Sequence, residues 1–312
     1  MALQENRRIL IKVAQMYYEE GATQSEIAEK IGVSRSLISK YLTTARELGI
    51  VEIIIHDEHH QQYRKLERKV ERLYDLREVV CIDSIGLESS KKQLGEAAAH
   101  YLLRMIKDGQ IIGISSGTTL HEMAKALSSP QPFPEVTIVP LVGGVGNERV
   151  DIHANYLVAK MGDALQAQYE LLHVPVMVDS KEAKEVLMRQ PSIRKTFELA
   201  EKSNIAVVGI GGSPEHSTMV KSYLGSDHEE ITQNEEIVGD ICYNFINKFG
   251  KSIRNTWNER VIAMELETLK KIPLVIGVAA GLEKVNAIKA ALEGNLINVL
   301  ITDEATAKAL VE

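Results

Sequence analysis

The chain has 312 residues, 45% hydrophobic and 25% charged, the mixture of an ordinary globular protein long enough for two domains. Its net charge of −7 offers no global attraction to nucleic acid, so any DNA contact must come from a local surface. No apolar run approaches the roughly 20 residues of a membrane-spanning helix, and charges in MALQENRRILIKVAQ stand where a signal peptide needs apolar residues, which points to the cytoplasm.

Residues 1–55 carry short helical patterns followed by an apolar run. Ile9, Leu10, Val13, Ala14 and Tyr17 share one helical face, and Gly21 ends that helix. Thr23 and Glu26 make a T-x-x-E capping box, opening a second helix with Ile27, Ala28 and Ile31 inward. Gly32 breaks it. Ser34 caps a third helix carrying Leu37, Ile38, Tyr41 and Leu42, which Gly49 ends. Val51–Ile55 reads as a strand.

Small Ala28, turn-forming Gly32 and apolar Ile38 let two short helices cross closely, the spacing of a DNA-binding helix-turn-helix. The outer face of the third helix presents Ser34, Arg35, Ser36, Ser39, Lys40 and Thr43, short donors and cations suited to base edges and phosphates. Gln24 and Ser25 start the preceding helix, where backbone N–H groups hold a phosphate. Over residues 33–49, Arg35, Lys40 and Arg46 outweigh Glu47. The alternative is a helical bundle with a solvated polar face.

Residues 56–78 are highly charged and helical in pattern. Tyr63, Leu66, Val70 and Leu73 follow the 3-4-3 spacing of a two-stranded coiled coil. A dimer-forming linker that spaces two DNA-reading units accounts for this seam; the alternative is an amphipathic helix lying on its own domain. His56, His59 and His60 lack nearby thiolates or a second ligand pair, so they read as solvated hinge residues and no metal site is expected. The two cysteines, Cys81 and Cys242, form neither a disulfide framework nor a CxxC.

From residue 79 to 312, β-branched runs alternate with amphipathic helices, the pattern of an α/β domain with a doubly wound, mostly parallel sheet. The apolar runs are Val79–Ile82, Ile111–Ile114, Val136–Val142, Ile205–Gly209, Leu274–Val278 and Leu296–Ile301, with a long helix expected over Lys91–Ile106. The strongest local feature is Ile111–Leu120, a strand running into a Ser/Gly/Thr loop that opens a helix. Backbone N–H groups and hydroxyls of Ser116, Gly117, Thr118 and Thr119 converge there, and the helix dipole favours an anion such as phosphate. A tight strand-to-helix turn is the alternative.

Gly113-x-Ser115-x-Gly117 also matches a nucleophile elbow, and Asp179 followed by His216 or His228 would supply a triad in chain order. The motif is short, and no later histidine lies near the C-terminus. Val142-Gly143-Gly144-Val145-Gly146 holds two glycines of a dinucleotide fingerprint, but Arg149 stands where the third belongs. No cofactor is expected, and a loop closing over a ligand is the better reading. Asn155 suits a ligand hydroxyl or a helix cap. Gly211 and Gly212 end the Ile205 strand. Asp240 lies in an apolar setting, where ligand hydroxyls or a salt bridge must partner it. Lys284 opens a helix after a strand end, where a cation suits a phosphate or sugar hydroxyl. Open α/β sheets bind ligands at such carboxyl ends, so the glycine-rich exits point to one crevice.

With QSEIAEKIGVSRSLISKYL, GISSGTTL, PLVGGVG, VVGIGG, VGDICYNF and GVAAGLEKVNAIKAALEGNLINVLITDEATAKAL in this order, the chain resembles the SorC family of bacterial sugar-responsive transcription regulators over essentially its full length. The resemblance implies an N-terminal helix-turn-helix and an effector domain similar to sugar-phosphate isomerases of the glucosamine-phosphate deaminase and ribose-phosphate isomerase type, serving as a sensor and not as an enzyme. It implies that Gly117, Thr118 and Thr119 hold an effector phosphate. Asp240 and Lys284 would meet its hydroxyls, with Asn155 and Gly211–Gly212 nearby. Some relatives carry a lysine in the motif that holds Val142 here and bond covalently to an aldehyde effector; Val142 has no amine for that bond. Ser116 stands where many members have tryptophan. The implied function is control of a carbohydrate uptake or catabolism operon by a homo-oligomer, dimer or tetramer, on a palindromic operator, with a phosphorylated sugar altering DNA affinity. The rival is a sugar-phosphate isomerase or deaminase fused to a DNA-binding domain.

Overall fold

The structure, a computed structural model, describes residues 2–51, 61–84, 86–144, 150–215, 231 and 234–312. The chain divides into two compact units, Met1–His59 and His60–Glu312.

The first unit holds helices α1 (Ala2–Tyr18), α2 (Gln24–Ile31) and α3 (Arg35–Glu47). The Thr23 hydroxyl accepts from Glu26 N at 3.3 Å, and Glu26 Oε2 accepts from Thr23 N at 2.8 Å. Two N–H groups that the helix start would leave bare are thereby satisfied. Gly32, at φ 79° and ψ 34°, takes the left-handed conformation that stops α2. Ser34 caps α3 by accepting from Leu37 N at 3.3 Å. Val13, Met16, Ile27, Ala28, Ile38 and Leu42 form the small core that ties the three helices together. Of the expected strand Val51–Ile55, Val51 lies in a bend and the remainder falls outside the described residues, as do His56, His59 and His60.

The second unit is built on strands β1 (Glu78–Ile82), β2 (Ile111–Ile114), β3 (Thr137–Pro140), β4 (Gln168–Tyr169), β5 (Ile205–Gly211), β6 (Gly239–Ile241), β7 (Asn244–Ile246), β8 (Leu274–Val278) and β9 (Val299–Asp303). Seven of them pair in parallel in the order β1-β9-β8-β5-β2-β3-β4, and β6 and β7 form an antiparallel hairpin attached to β5. Successive residues point to opposite faces. Ile205 and Val207 enter one core with Leu102, Leu120 and Leu157, while Ala206, Val208 and Ile210 enter the other with Val70, Ala287 and Ala307. Both faces are covered, which is why the strands read as unbroken apolar runs.

Helix α4 (Gln61–Tyr74) corrects the expected linker. Val70 is fully buried in the core of the second unit, and Tyr63 and Leu66 pack against it; Leu73 alone of the seam is exposed. The helix lies along β1, the outer strand of the sheet. Glu71 Oε1 accepts from Val79 N, and Glu67 Oε1 from Cys81 N, each at 2.9 Å. Tyr74 donates its hydroxyl to the Leu310 carbonyl at 2.9 Å. The apolar stripe thus faces its own domain, and the carboxylates beside it occupy backbone donors that an edge strand leaves open. Three further helices position the site described below: α5 (Leu87–Met105), which starts before the expected Lys91, α6 (Thr118–Ala126) and α7 (Ala154–Leu165).

Thr23→Ala removes the hydroxyl half of the capping box and leaves the Glu26 carboxylate on the backbone N–H of residue 23. It lowers the stability of the first unit by about 1 kcal/mol, measured by scanning calorimetry of the full chain as an earlier transition for that unit.

Candidate functional site

The chain leaves β2 toward β3 and β4, then returns to place β5 on the other side of β2 before passing to β8 and β9. The connections after β2 and β5 therefore diverge, and a crevice opens between their carboxyl ends. A pocket of about 590 Å³, open mouth included, fills this place. Its walls are Ser115–Leu120 after β2, Gly209–Gly212 at the end of β5, Asp240, Cys242 and Tyr243 of the hairpin, Val278 of β8, and Lys284. Every expected ligand residue except Asn155 is in this wall: Ser116, Gly117, Thr118, Thr119, Gly211, Gly212, Asp240 and Lys284 come together from separate strand exits.

Asn155 is used elsewhere. Its Nδ2 donates to the Leu172 carbonyl at 3.0 Å, and its Oδ1 accepts from Leu172 N at 2.9 Å. The amide is spent on one backbone residue and ties α7 to the segment after β4.

The β2 exit differs from expectation in one donor. Gly117 sits at φ 136° and ψ 164°, backbone space open to glycine, and its N–H donates to the Ile152 carbonyl at 3.1 Å. The backbone donors this loop leaves open are therefore those of the first turn of α6. Its N–H groups have no intrahelical acceptor, Gly117 supplies no side-chain cap, and Thr118 and Thr119 are half-buried beside them. Ser115 is buried and hydrogen-bonded to backbone: its Oγ accepts from Gly209 N and donates to the Ser116 carbonyl, both at 3.4 Å. The described wall contains no histidine, and Asp179 is exposed outside it; His216 and His228 lie outside the described residues, as do Val145–Arg149 of the second glycine motif.

Asp240 is 2% exposed and stands opposite Gly211 in the β5–β6 pairing. A Cβ at position 211 would collide with the Asp240 carboxylate, so glycine there makes room for the charge. Burial pushes the Lys284 ammonium below the ordinary lysine range; Glu283 and Asp240 oppose that shift, and Lys91 adds to it. The pocket thus combines an acceptor and a cation in a water-poor wall.

Sequence reasoning missed Cys242 and Tyr243. They form the two-residue turn between β6 and β7, with φ 50° and 62°. Such turns favour Asn-Gly because both central residues need positive φ. Side chains of this bulk cost on the order of 1–3 kcal/mol each in that conformation. The turn is fastened from outside: Trp257 Nε1 donates to the Tyr243 carbonyl at 2.9 Å, and Asn244 Nδ2 donates to the carbonyls of Cys242 and Met264, each at 3.0 Å. Ser116 donates its hydroxyl to the Tyr243 oxygen at 3.1 Å. Burial, then the Asp240 charge, pushes the Cys242 thiol up, which keeps it a neutral wall group. The absence of Asn or Gly at the turn hid the hairpin; the paired apolar and acidic residues around Asp240 were the available signal.

In the first unit, Ser25, Ser34, Arg35, Ser36, Ser39 and Lys40 are exposed and Gln24 is half-buried. Ser34 is engaged in its own cap, with its Oγ 2.9 Å from that of Ser36. Arg35, Ser39 and Lys40 project from the same helix.

Lys284 titrates below the surface lysines in an NMR titration of isotopically labelled lysine, and Asp240→Asn depresses it further. The unfolded chain keeps its proton up to the ordinary value of 10.5 while the folded one releases it earlier. In that interval the unfolded state binds more protons, so this group's contribution to stability rises with pH.

A family model described as "Putative sugar-binding domain" matches residues 58–312, and one described as sigma-70, region 4, matches residues 8–47. The chain is 30% identical over 309 residues to the deoxyribonucleoside regulator of Bacillus subtilis (strain 168), covering 98% of each. It is 29% identical to the sorbitol operon regulator of Klebsiella pneumoniae, again covering 98% of each. The crystal structure of the full-length sorbitol operon regulator SorC from Klebsiella pneumoniae superposes with a TM-score of 0.76, at 29% identity and 98% coverage of both chains. That of a probable sor operon regulator from Shigella flexneri gives 0.75 at 26% identity, covering 81% of this chain and 100% of the other. A helix-turn-helix unit ahead of a sugar-binding domain that spans most of the chain makes this protein a member of the SorC family of transcriptional regulators.

Proposed function

We propose that the protein regulates a carbohydrate uptake or catabolism operon and that a phosphorylated sugar sets its operator affinity. The observation that carries the reading is the union, in one crevice, of the uncapped α6 N-terminus, the Thr118 and Thr119 residues, Asp240 and Lys284. A phosphate takes the α6 N–H groups and the threonine hydroxyls, where the helix dipole favours its charge. Asp240 accepts from sugar hydroxyls, and Lys284 supplies a cation to the same ligand. Relatives named for sorbitol and for deoxyribonucleosides support a polyol or sugar as the organic part.

On the DNA side, Arg35, Ser36, Ser39 and Lys40 read base edges and phosphates from α3, while Gln24 and Ser25 hold a phosphate at the start of α2. A helix-turn-helix reads paired half-sites about 34 Å apart, so the acting species is a homo-oligomer, dimer or tetramer. The effector works by preferring one of two arrangements of the protein, a coupling of about 1–3 kcal/mol. It leaves the pocket chemically unchanged, which mass analysis after incubation with sugar phosphates checks.

Fluorescence anisotropy on the DNA flanking the protein's own gene, with and without a panel of sugar phosphates, tests the whole reading. Specific binding that one phosphate shifts is the expected result; absence of specific binding under every condition overturns it. Thr119→Val abolishes the effector response and spares operator binding. Arg35→Ala weakens operator binding by about 1–3 kcal/mol if the side chain meets a base, with effector affinity unchanged by calorimetry.

A further inference from the structure

We infer that Tyr243 is a specificity-determining residue of the pocket, its ring setting the length of sugar phosphate the site accepts; this rests on the sugar-phosphate reading and adds the size class of the ligand to it. The ring lines the pocket while only 2% of the residue is exposed. It packs into the core on one side, and its hydroxyl end reaches Ser116 on the pocket wall, so the ring stands at the boundary of the ligand space. The backbone does not call for it. At φ 62° in a two-residue turn, glycine is the unstrained choice, and the turn is held through main-chain carbonyls by Trp257 and Asn244. A bulky residue kept in a conformation that disfavours it points to a use for the side chain.

That use lies in where the phenol reaches. Its oxygen accepts from Ser116 Oγ at 3.1 Å, a bond between residues 127 apart in the chain. Ser116 stands at the exit of β2, one residue before the turn into α6; Tyr243 stands on the hairpin three residues after Asp240. The bridge thus joins the anion-binding end of the pocket to the element that carries the hydroxyl-reading acid. A ligand spanning both ends lies against this bridge, and the ring bounds the room for carbon atoms between phosphate and terminal hydroxyl.

The test is isothermal titration of the full chain with glyceraldehyde 3-phosphate, erythrose 4-phosphate, ribose 5-phosphate and glucose 6-phosphate. Tyr243→Gly keeps the left-handed turn and deletes the ring. It shifts preference toward the longer members by about tenfold or more, the discrimination a single carbon carries in a shaped pocket. Tyr243→Phe keeps the ring and the ranking. Tyr243→Asn, which also tolerates the left-handed turn, carries the same expectation as the glycine variant and replaces it if that variant lacks a cooperative thermal transition. An unchanged ranking in a folded ring-deleted variant overturns the inference and leaves the sugar-phosphate reading standing. If the unaltered protein takes no member of the series, that reading fails and the inference falls with it.

Discussion

Parallel strands deliver all their carboxyl ends to one side of a sheet, and the reversal of strand order at β2 and β5 opens the crevice on that side. No single loop here makes a site. The β2 exit contributes uncapped helix donors, β5 contributes a glycine that makes room, the hairpin adds a buried acid and Lys284 adds a cation. These come from segments spread over residues 116–284, and the switch in strand order, with the hairpin paired onto β5, makes them neighbours. A change that slipped β2 against β5 by one residue would turn alternate side chains to the opposite face and scatter the wall.

The site is also where the fold gives up stability. Lys284 is held in a medium that disfavours its charge, Asp240 is buried next to a glycine, and two non-glycine residues occupy left-handed backbone at the hairpin tip. Each feature is tolerated because surrounding elements are over-determined: Trp257 and Asn244 pin the turn, and the parallel pairing of β5 with β2 and β8 fixes the platform beneath it. Such preorganisation lets a ligand meet its partners without ordering them at the moment of binding.

Much of this was legible in the amino-acid order where the determining interactions are local. The capping box, the left-handed Gly32 and the core spacing of Ile27, Ala28 and Ile38 all act within one or two turns, and the structure has them. Six of the nine described strands were legible because burial on both faces leaves apolar runs; the exposed β4 and the short β6 and β7 carry no such run. The Ser116–Thr119 loop and the convergence of Asp240 and Lys284 followed from strand exits sharing one edge. What escaped depends on distant partners. Nothing near Asn155 says that its amide belongs to Leu172, 17 residues on. The stripe of Tyr63, Leu66 and Val70 announces an apolar face without saying what covers it, and only the folded sheet shows that the partner is its own domain. Cys242 and Tyr243 carry no turn signal because bonds from Trp257 and Asn244 impose their conformation.

The bonding of Glu67 and Glu71 to the outer strand bears on how this domain can be divided. Composition places a boundary at residue 78, yet a fragment starting at 79 would lose the helix that fills the Val70 position and would leave the Cys81 amide bare. A strand in that condition is a template onto which another chain can add itself. The helix thus acts as a guard against chain-to-chain sheet growth, and the smallest piece of this domain able to stay dispersed begins ahead of it. A duplication or fusion that carried the domain elsewhere would have to carry those fourteen residues along.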